Sequence, residues 1–442
     1  MNQEENATTA NPLKRELGVF GAVMMGLGSI IGTGVFVSIG IAAGITGPAV
    51  IFSVIVAAGL ATCNALSSAQ LAANHPVSGG TYEYGYQYLT PKFGFIAGWL
   101  FLCAKSASAA TAALGFAGYL MMGLKISDPT YLVPIALAAT ALLTLVVLSG
   151  LTRANWANIL IVSLTLSALG LFVILGVPTV LKMEQNNFIP LFDSGNGSAW
   201  NHMSVFLHAS AMMFVAFTGY GRIATLGEEV REPEKTIPRA IVTTLVLSAT
   251  IYIAVSWIAI GTVGADKLGH AAQSSAAPLE IVAKQFSWSY ASWWLSLGAV
   301  TAMLGVLLNL IIGLSRVLLA MGRRHDVPQF FTRLTVIGRT PWVSTIAIGL
   351  IVAALASTGD VKTTWSFSAF TVLIYYAITN LAALQLKPEN RLYHPVFPWT
   401  GLMGCLGLAC WVEWKVWLAG TGIIFAGLVF QGCFNRKPTT TP

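Results

Sequence analysis

The sequence predicts an all-α membrane protein with twelve transmembrane helices. Ten form an inverted five-plus-five repeat whose first and sixth helices are discontinuous, and two more follow at the C-terminal end. Three observations carry this. Hydrophobic residues make up 55% of the 442-residue chain and charged residues only 9%, with a mean hydropathy of +0.72, whereas a soluble domain carries about 25% charged residues. Basic residues gather on one side of the apolar segments. Glycine clusters interrupt two segments at corresponding places in the two halves. The composition excludes a soluble enzyme, a disordered chain and a nucleic-acid binder, and the net charge of +7 is read against topology instead.

A helix crosses a bilayer with about 20 apolar residues. On that measure a polar tail, 1–16, precedes the first span at 17–46 and the second at 48–73. The third is 93–124, the fourth 131–149 and the fifth 156–181, closing a first repeat over 17–181. A polar loop leads to spans at 200–226, 237–263, 289–321, 342–357 and 363–386, a second repeat over 200–386. The last pair, 397–412 and 416–434, adds a unit over 397–434, and 435–442 forms a second tail. Five helices per half is an odd number, so the second half enters the membrane inverted. The tail 1–16 has no apolar core followed by a cleavage site, which predicts an uncleaved first span.

Of the 24 basic residues, 15 fall on the side of the N-terminus, among them Arg231, Arg323, Arg324 and Arg391, and six on the other. The positive-inside rule then puts both termini in the cytoplasm, with the cell membrane as the expected location. Three lie within spans: Lys105, Arg222 and Arg316. All 17 carboxylates map to loops, tails or span ends, so proton coupling through a mid-membrane acid is not expected.

The first span contains Gly26, Gly28, Gly32 and Gly34, and each glycine weakens a helix by about 1 kcal/mol relative to alanine. The sixth offers Phe217-Thr218-Gly219-Tyr220-Gly221-Arg222. Such clusters serve either close helix packing or broken helices whose freed backbone groups bind a solute. A pair of them in matching positions of two halves points to the second.

Here the chain resembles the amino acid–polyamine–organocation transporters. Four patches carry the resemblance: Gly28 to Phe36; Pro76 to Tyr82 followed by Gly98-Trp99; Phe217 to Gly219 with Gly227-Glu228-Glu229-Val230 and Pro233 to Pro238; and Ser315-Arg316 with Asp326-Val327-Pro328. The third patch is closest to the cationic amino acid transporter branch. The resemblance implies a LeuT-like core and a permease or exchanger that carries amino acids, or related small zwitterions, by alternating access. It also implies the site. Amides of Gly32, Thr33 and Gly34 would hold a substrate carboxylate at a helix N-terminus. Carbonyls of Ile30, Val215, Ala216 and Thr218 would accept from the ammonium, and Phe217 would cover the site. Cationic transporters typically place an acid where Gly221 stands, and here Arg222 follows, which points to a neutral substrate. Relatives often carry a lysine in the fifth helix, and this fifth span has none.

Lys105 is the alternative cation. It lies twelve residues past Phe93, about 18 Å along the axis, too deep for its tail to snorkel out, and it either braces the bundle or takes part in coupling. Arg222 is a second coupling candidate. Thr301 is a third, since a sodium site would need hydroxyls of the eighth span beside carbonyls near Gly28 and Ile31. The coupling ion, H+ or Na+, and ion-independent exchange both stay open. The five cysteines form no CxxC pair and read as inert thiols rather than metal ligands. No HExxH, GxxxxGK[ST] or GxSxG motif is present, so neither an enzyme nor a cofactor is expected. The alternative function is a non-transporting amino acid sensor on the same scaffold.

Overall fold

The computed structural model describes residues 18–75, 79–126, 128–149, 155–192, 198–224, 230–335 and 340–434. The predicted tails 1–16 and 435–442, Pro76 to Ser78, and Gly227 to Glu229 lie outside them. Every regular element among the described residues is helical. In chain order these are α1 (Val19–Ile30), α2 (Ile39–Thr46), α3 (Val50–Asn74), α4 (Thr81–Tyr88), α5 (Pro91–Gly123), α6 (Leu132–Leu148), α7 (Asn155–Leu181), α8 (Ala199–Phe217) and α9 (Gly221–Ala224). They continue with α10 (Pro233–Val263), α11 (Ala265–Ser274), α12 (Pro278–Ala283), α13 (Ala291–Arg323), α14 (Trp342–Ala356), α15 (Val361–Leu384), α16 (Val396–Ala409) and α17 (Trp414–Phe434).

Nine runs among the described residues are long and apolar enough to cross a membrane, and the protein is an integral membrane protein. The first run, Val19–Asn74, holds three helices and two interruptions. One is the break after α1. The other is the reversal at Gly47, whose φ of 70° is a left-handed value that favours glycine, with Pro48 opening the next turn. Trp342–Ala356 and Val396–Ala409 are apolar but shorter.

Burial separates the helices. The most apolar windows of α5 and α15 are 78% buried, and those of α6 and α17 only 28% and 22%. Helices α5 and α15 therefore form the centre of the bundle, and α6 and α17 present apolar side chains such as Leu142, Leu145, Leu418 and Phe425 outward. In water such a surface is a liability. In lipid it is the required one.

Three short helices lie in connections that the sequence reading left as loops: α4, α11 and α12. The first carries a buried polar cluster. Asp326, just past α13 and 3% exposed, accepts from Tyr82 Oη at 2.7 Å and from Tyr86 Oη at 2.6 Å. Gln431 of α17 donates to its other oxygen at 3.4 Å. Arg324 pairs with Glu83 and lies 4.5 Å from the Tyr86 ring centroid. Burial first, then the hydrogen bond to Asp326 and its charge, push both phenols above the ordinary tyrosine range, so both remain donors. Asp326→Ala leaves the buried Tyr82 hydroxyl unpaired, at a cost of about 1–3 kcal/mol, and the half-buried Tyr86 hydroxyl with it. The expected result is a melting temperature several degrees lower in detergent, with Asp326→Asn recovering part of the loss. An unchanged melting curve would mean that the cluster is not structural.

Candidate functional site

The break in the first span begins at Ile31, which leaves the helix with extended backbone (φ −80°, ψ 102°) while its N–H still bonds Leu27 O at 2.7 Å. The chain resumes as a π-helical turn, Gly34–Ser38, that runs into α2. Its first turn bonds are Val35 N and Phe36 N to Gly32 O, each 3.1 Å. Gly32, Thr33 and Gly34 thus stand at a helix start, where the leading amides lack intrahelical acceptors. The Thr33 hydroxyl is buried with no hydrogen-bond partner among the described residues.

The sixth-span break is gentler. α8 ends at Phe217, a 3-10 turn covers Thr218–Tyr220, and α9 restarts at Gly221. The two breaks touch backbone to backbone. A Cβ on Gly219 would overlap the Ser29 carbonyl, so only glycine allows this approach.

Tyr252 of α10 joins them. Its hydroxyl donates to Ile30 O at 2.7 Å and lies 3.2 Å from Ala216 O, and its ring packs against Phe217 with centroids 5.0 Å apart. Sequence reasoning missed this residue. The Val215 carbonyl accepts from Thr218 Oγ1 at 2.7 Å and the Thr218 carbonyl from Tyr376 Oη at 3.1 Å. The Val215 carbonyl thus accepts from both the hydroxyl and the N–H of Thr218, which fills its two lone pairs, while the Ile30 and Thr218 carbonyls each accept from a tyrosine hydroxyl.

Beside the breaks lies a cavity of about 470 Å³. Ser29, Lys105, Thr218, Gly219 and Val306 line it at the breaks; Arg323 and Gly79-Gly80 line it at the α4 end. Lys105 Nζ donates to Thr218 Oγ1 at 2.8 Å. Since that hydroxyl spends its proton on Val215 O, it meets the lysine with a lone pair. Val306 also reaches the first break, with Cγ2 2.6 Å from where a Cβ on Gly32 would sit.

The structure thus brings Lys105, Thr218 and Arg222 into one cavity lining. Ile30, Gly32, Thr33, Gly34, Val215, Ala216 and Phe217 are buried and outside that lining, with Phe217 packed against Tyr252. Thr301 is not in the lining, and its hydroxyl bonds Leu297 O and Gly298 O of its own helix. Instead α13 contributes Val306, Asn309, Gly313, Arg316 and Arg323. Arg316 lies within the span and is one of the residues that line the cavity. Among the cysteines, Cys405 is buried and Cys410 exposed.

Comparison with known proteins places this geometry in context. A family model described as amino acid permease matches residues 21–427. An uncharacterised transporter of Mycobacterium tuberculosis is 37% identical over 95% of this chain and 91% of its own. The branched-chain amino acid permease BcaP of Bacillus subtilis is 27% identical, with 96% and 94% covered. The human cationic amino acid transporter 4 is 28% identical over 87% of this chain and 61% of its own.

Proposed function

The chain belongs to the amino acid permease family, and from that premise we propose that it is a secondary carrier working by alternating access, with amino acids or related small zwitterions as substrates. One observation carries the reading: two helix interruptions in direct backbone contact, at the inner end of a cavity large enough to admit an amino acid. In this reading the amides of Gly32, Thr33 and Gly34 hold the substrate carboxylate. The Ile30, Ala216 and Thr218 carbonyls hold the ammonium, while the Val215 carbonyl, expected from the sequence to join them, already accepts twice from Thr218. Phe217 and Tyr252 close the side away from the cavity, and Lys105 and Arg222 are the coupling candidates. The position of Arg222 in the lining supports the exclusion of cationic amino acids. Thr301, with its hydroxyl spent on its own helix, is the weakest of the coupling candidates, and so is a sodium site built on it.

The proposed architecture is twelve crossings. The run Val19–Asn74 counts as two, and the two shorter apolar helices join the other eight runs. Crossings one to five and six to ten form the inverted repeats, 17–181 and 200–386, with 397–434 added. Both termini are cytoplasmic, in the cell membrane, and the α4 end of the cavity faces the cytoplasm. Uptake by purified protein in proteoliposomes tests this reading. Saturable flux of at least one labelled amino acid is expected. Ligand binding without flux would make the protein a sensor on a carrier scaffold.

A further inference from the structure

Among the described residues, the cavity lining carries basic side chains and no carboxylate. Lys105 sits at the sixth-span break, Arg222 just past it, Arg316 on α13, and Arg323 at the end of α13. Lys105 bonds a neutral hydroxyl. Neither it nor Arg316 nor Arg323 takes part in an ion pair among the described residues. Glu83, on α4 beside Tyr82 of the lining, is already paired with Arg324.

Topology accounts for Arg323, a cation at a span end. It does not account for Arg316 or Lys105. Arg316 lies seven residues inside Arg323 on the same helix face, about 10 Å deeper, and Lys105 lies at the inner end. A cleft lined by one sign of charge between low-dielectric walls concentrates ligands of the opposite sign. A neutral zwitterion gains little from such a field, and a cation is repelled.

We propose that the substrate carries a net negative charge: an amino acid with an acidic side chain, its second carboxylate facing Lys105, with Arg316 and Arg323 along the way in. This rests on the permease reading and sharpens it, replacing the neutral substrate expected from the sequence. Lys105 and Arg316 are then specificity determinants. Lys105 meets the bound ligand, and Arg316 draws it in.

The test is initial-rate uptake by the full chain in proteoliposomes, with labelled aspartate, glutamate, leucine and lysine and with succinate as competitor. The acidic pair is expected to show a kcat/KM at least ten-fold above leucine, and lysine no saturable uptake. Raised ionic strength should narrow that gap, because salt screens the field. Arg316→Gln should raise KM for the acidic substrate at least five-fold and leave that for leucine unchanged, with Arg323→Gln a milder companion. Succinate, without an ammonium, should compete at least ten-fold less well than aspartate. Equal competition would overturn the assignment to an amino acid. Leucine or lysine carried as well as, or better than, the acidic pair would overturn the charge assignment and leave the permease reading intact. No saturable uptake of any of them would overturn both.

Discussion

Lys105→Met is expected to leave the protein folded and inserted in the membrane while cutting uptake by roughly ten-fold or more. That scale follows from losing one hydrogen bond from an ionised donor, about 1.5–3 kcal/mol. Lys105 Nζ holds the Thr218 hydroxyl at 2.8 Å, and Thr218 in turn holds the Val215 carbonyl. The lysine thus fastens the sixth-span break to α5. Methionine keeps the volume and loses the donor. Lys105→Arg then separates two roles. A fixed positive charge is partly restored by arginine, but a titrating one is not, because arginine does not deprotonate. Wild-type uptake by Lys105→Met between pH 5.5 and 8.5 would reduce the residue to a packing role.

Gly34→Val should abolish transport, by roughly 100-fold, the scale on which a 1 Å misplacement in a site acts. A Cβ at this position would lie 2.7 Å from Tyr252 Oη and 2.8 Å from Ala216 Cβ. The valine therefore drives Tyr252 off the Ile30 and Ala216 carbonyls and pushes the two breaks apart. Gly34→Ala should fall between valine and wild type. Gly59, with nothing within 4 Å of its Cβ position, supplies the control: Gly59→Val should transport normally. Size-exclusion profiles and membrane yield of both variants separate lost function from lost folding. Normal uptake by Gly34→Val would remove the site from this segment.

The spans and the two breaks were legible in the sequence for physical reasons. Apolar length is set by the bilayer, and a glycine cluster in mid-membrane has few uses. The partners of the breaks were not. Tyr252 lies in a 31-residue apolar helix, where one tyrosine gives no sign that its hydroxyl bridges two carbonyls. Thr301 was singled out by residue type, but α13 turns its lining face through Val306, Asn309, Gly313 and Arg316. At about 100° per residue, Ala302 falls near that stripe and Thr301 does not. Asp326 stood in a recognised patch, yet only the fold brings Tyr82 and Tyr86 to it across more than 200 residues. Arg316 stood out only as a basic residue within a span, because sequence spacing cannot tell a cavity from a membrane surface.

Exchange in proteoliposomes tests the central claim most directly, because a carrier that alternates access returns faster when loaded on both sides. Vesicles preloaded with the unlabelled substrate should take up the labelled one several-fold faster than empty vesicles, with saturation, and Gly34→Val should show neither effect. Uptake that rises linearly with concentration and ignores preloading would contradict the account.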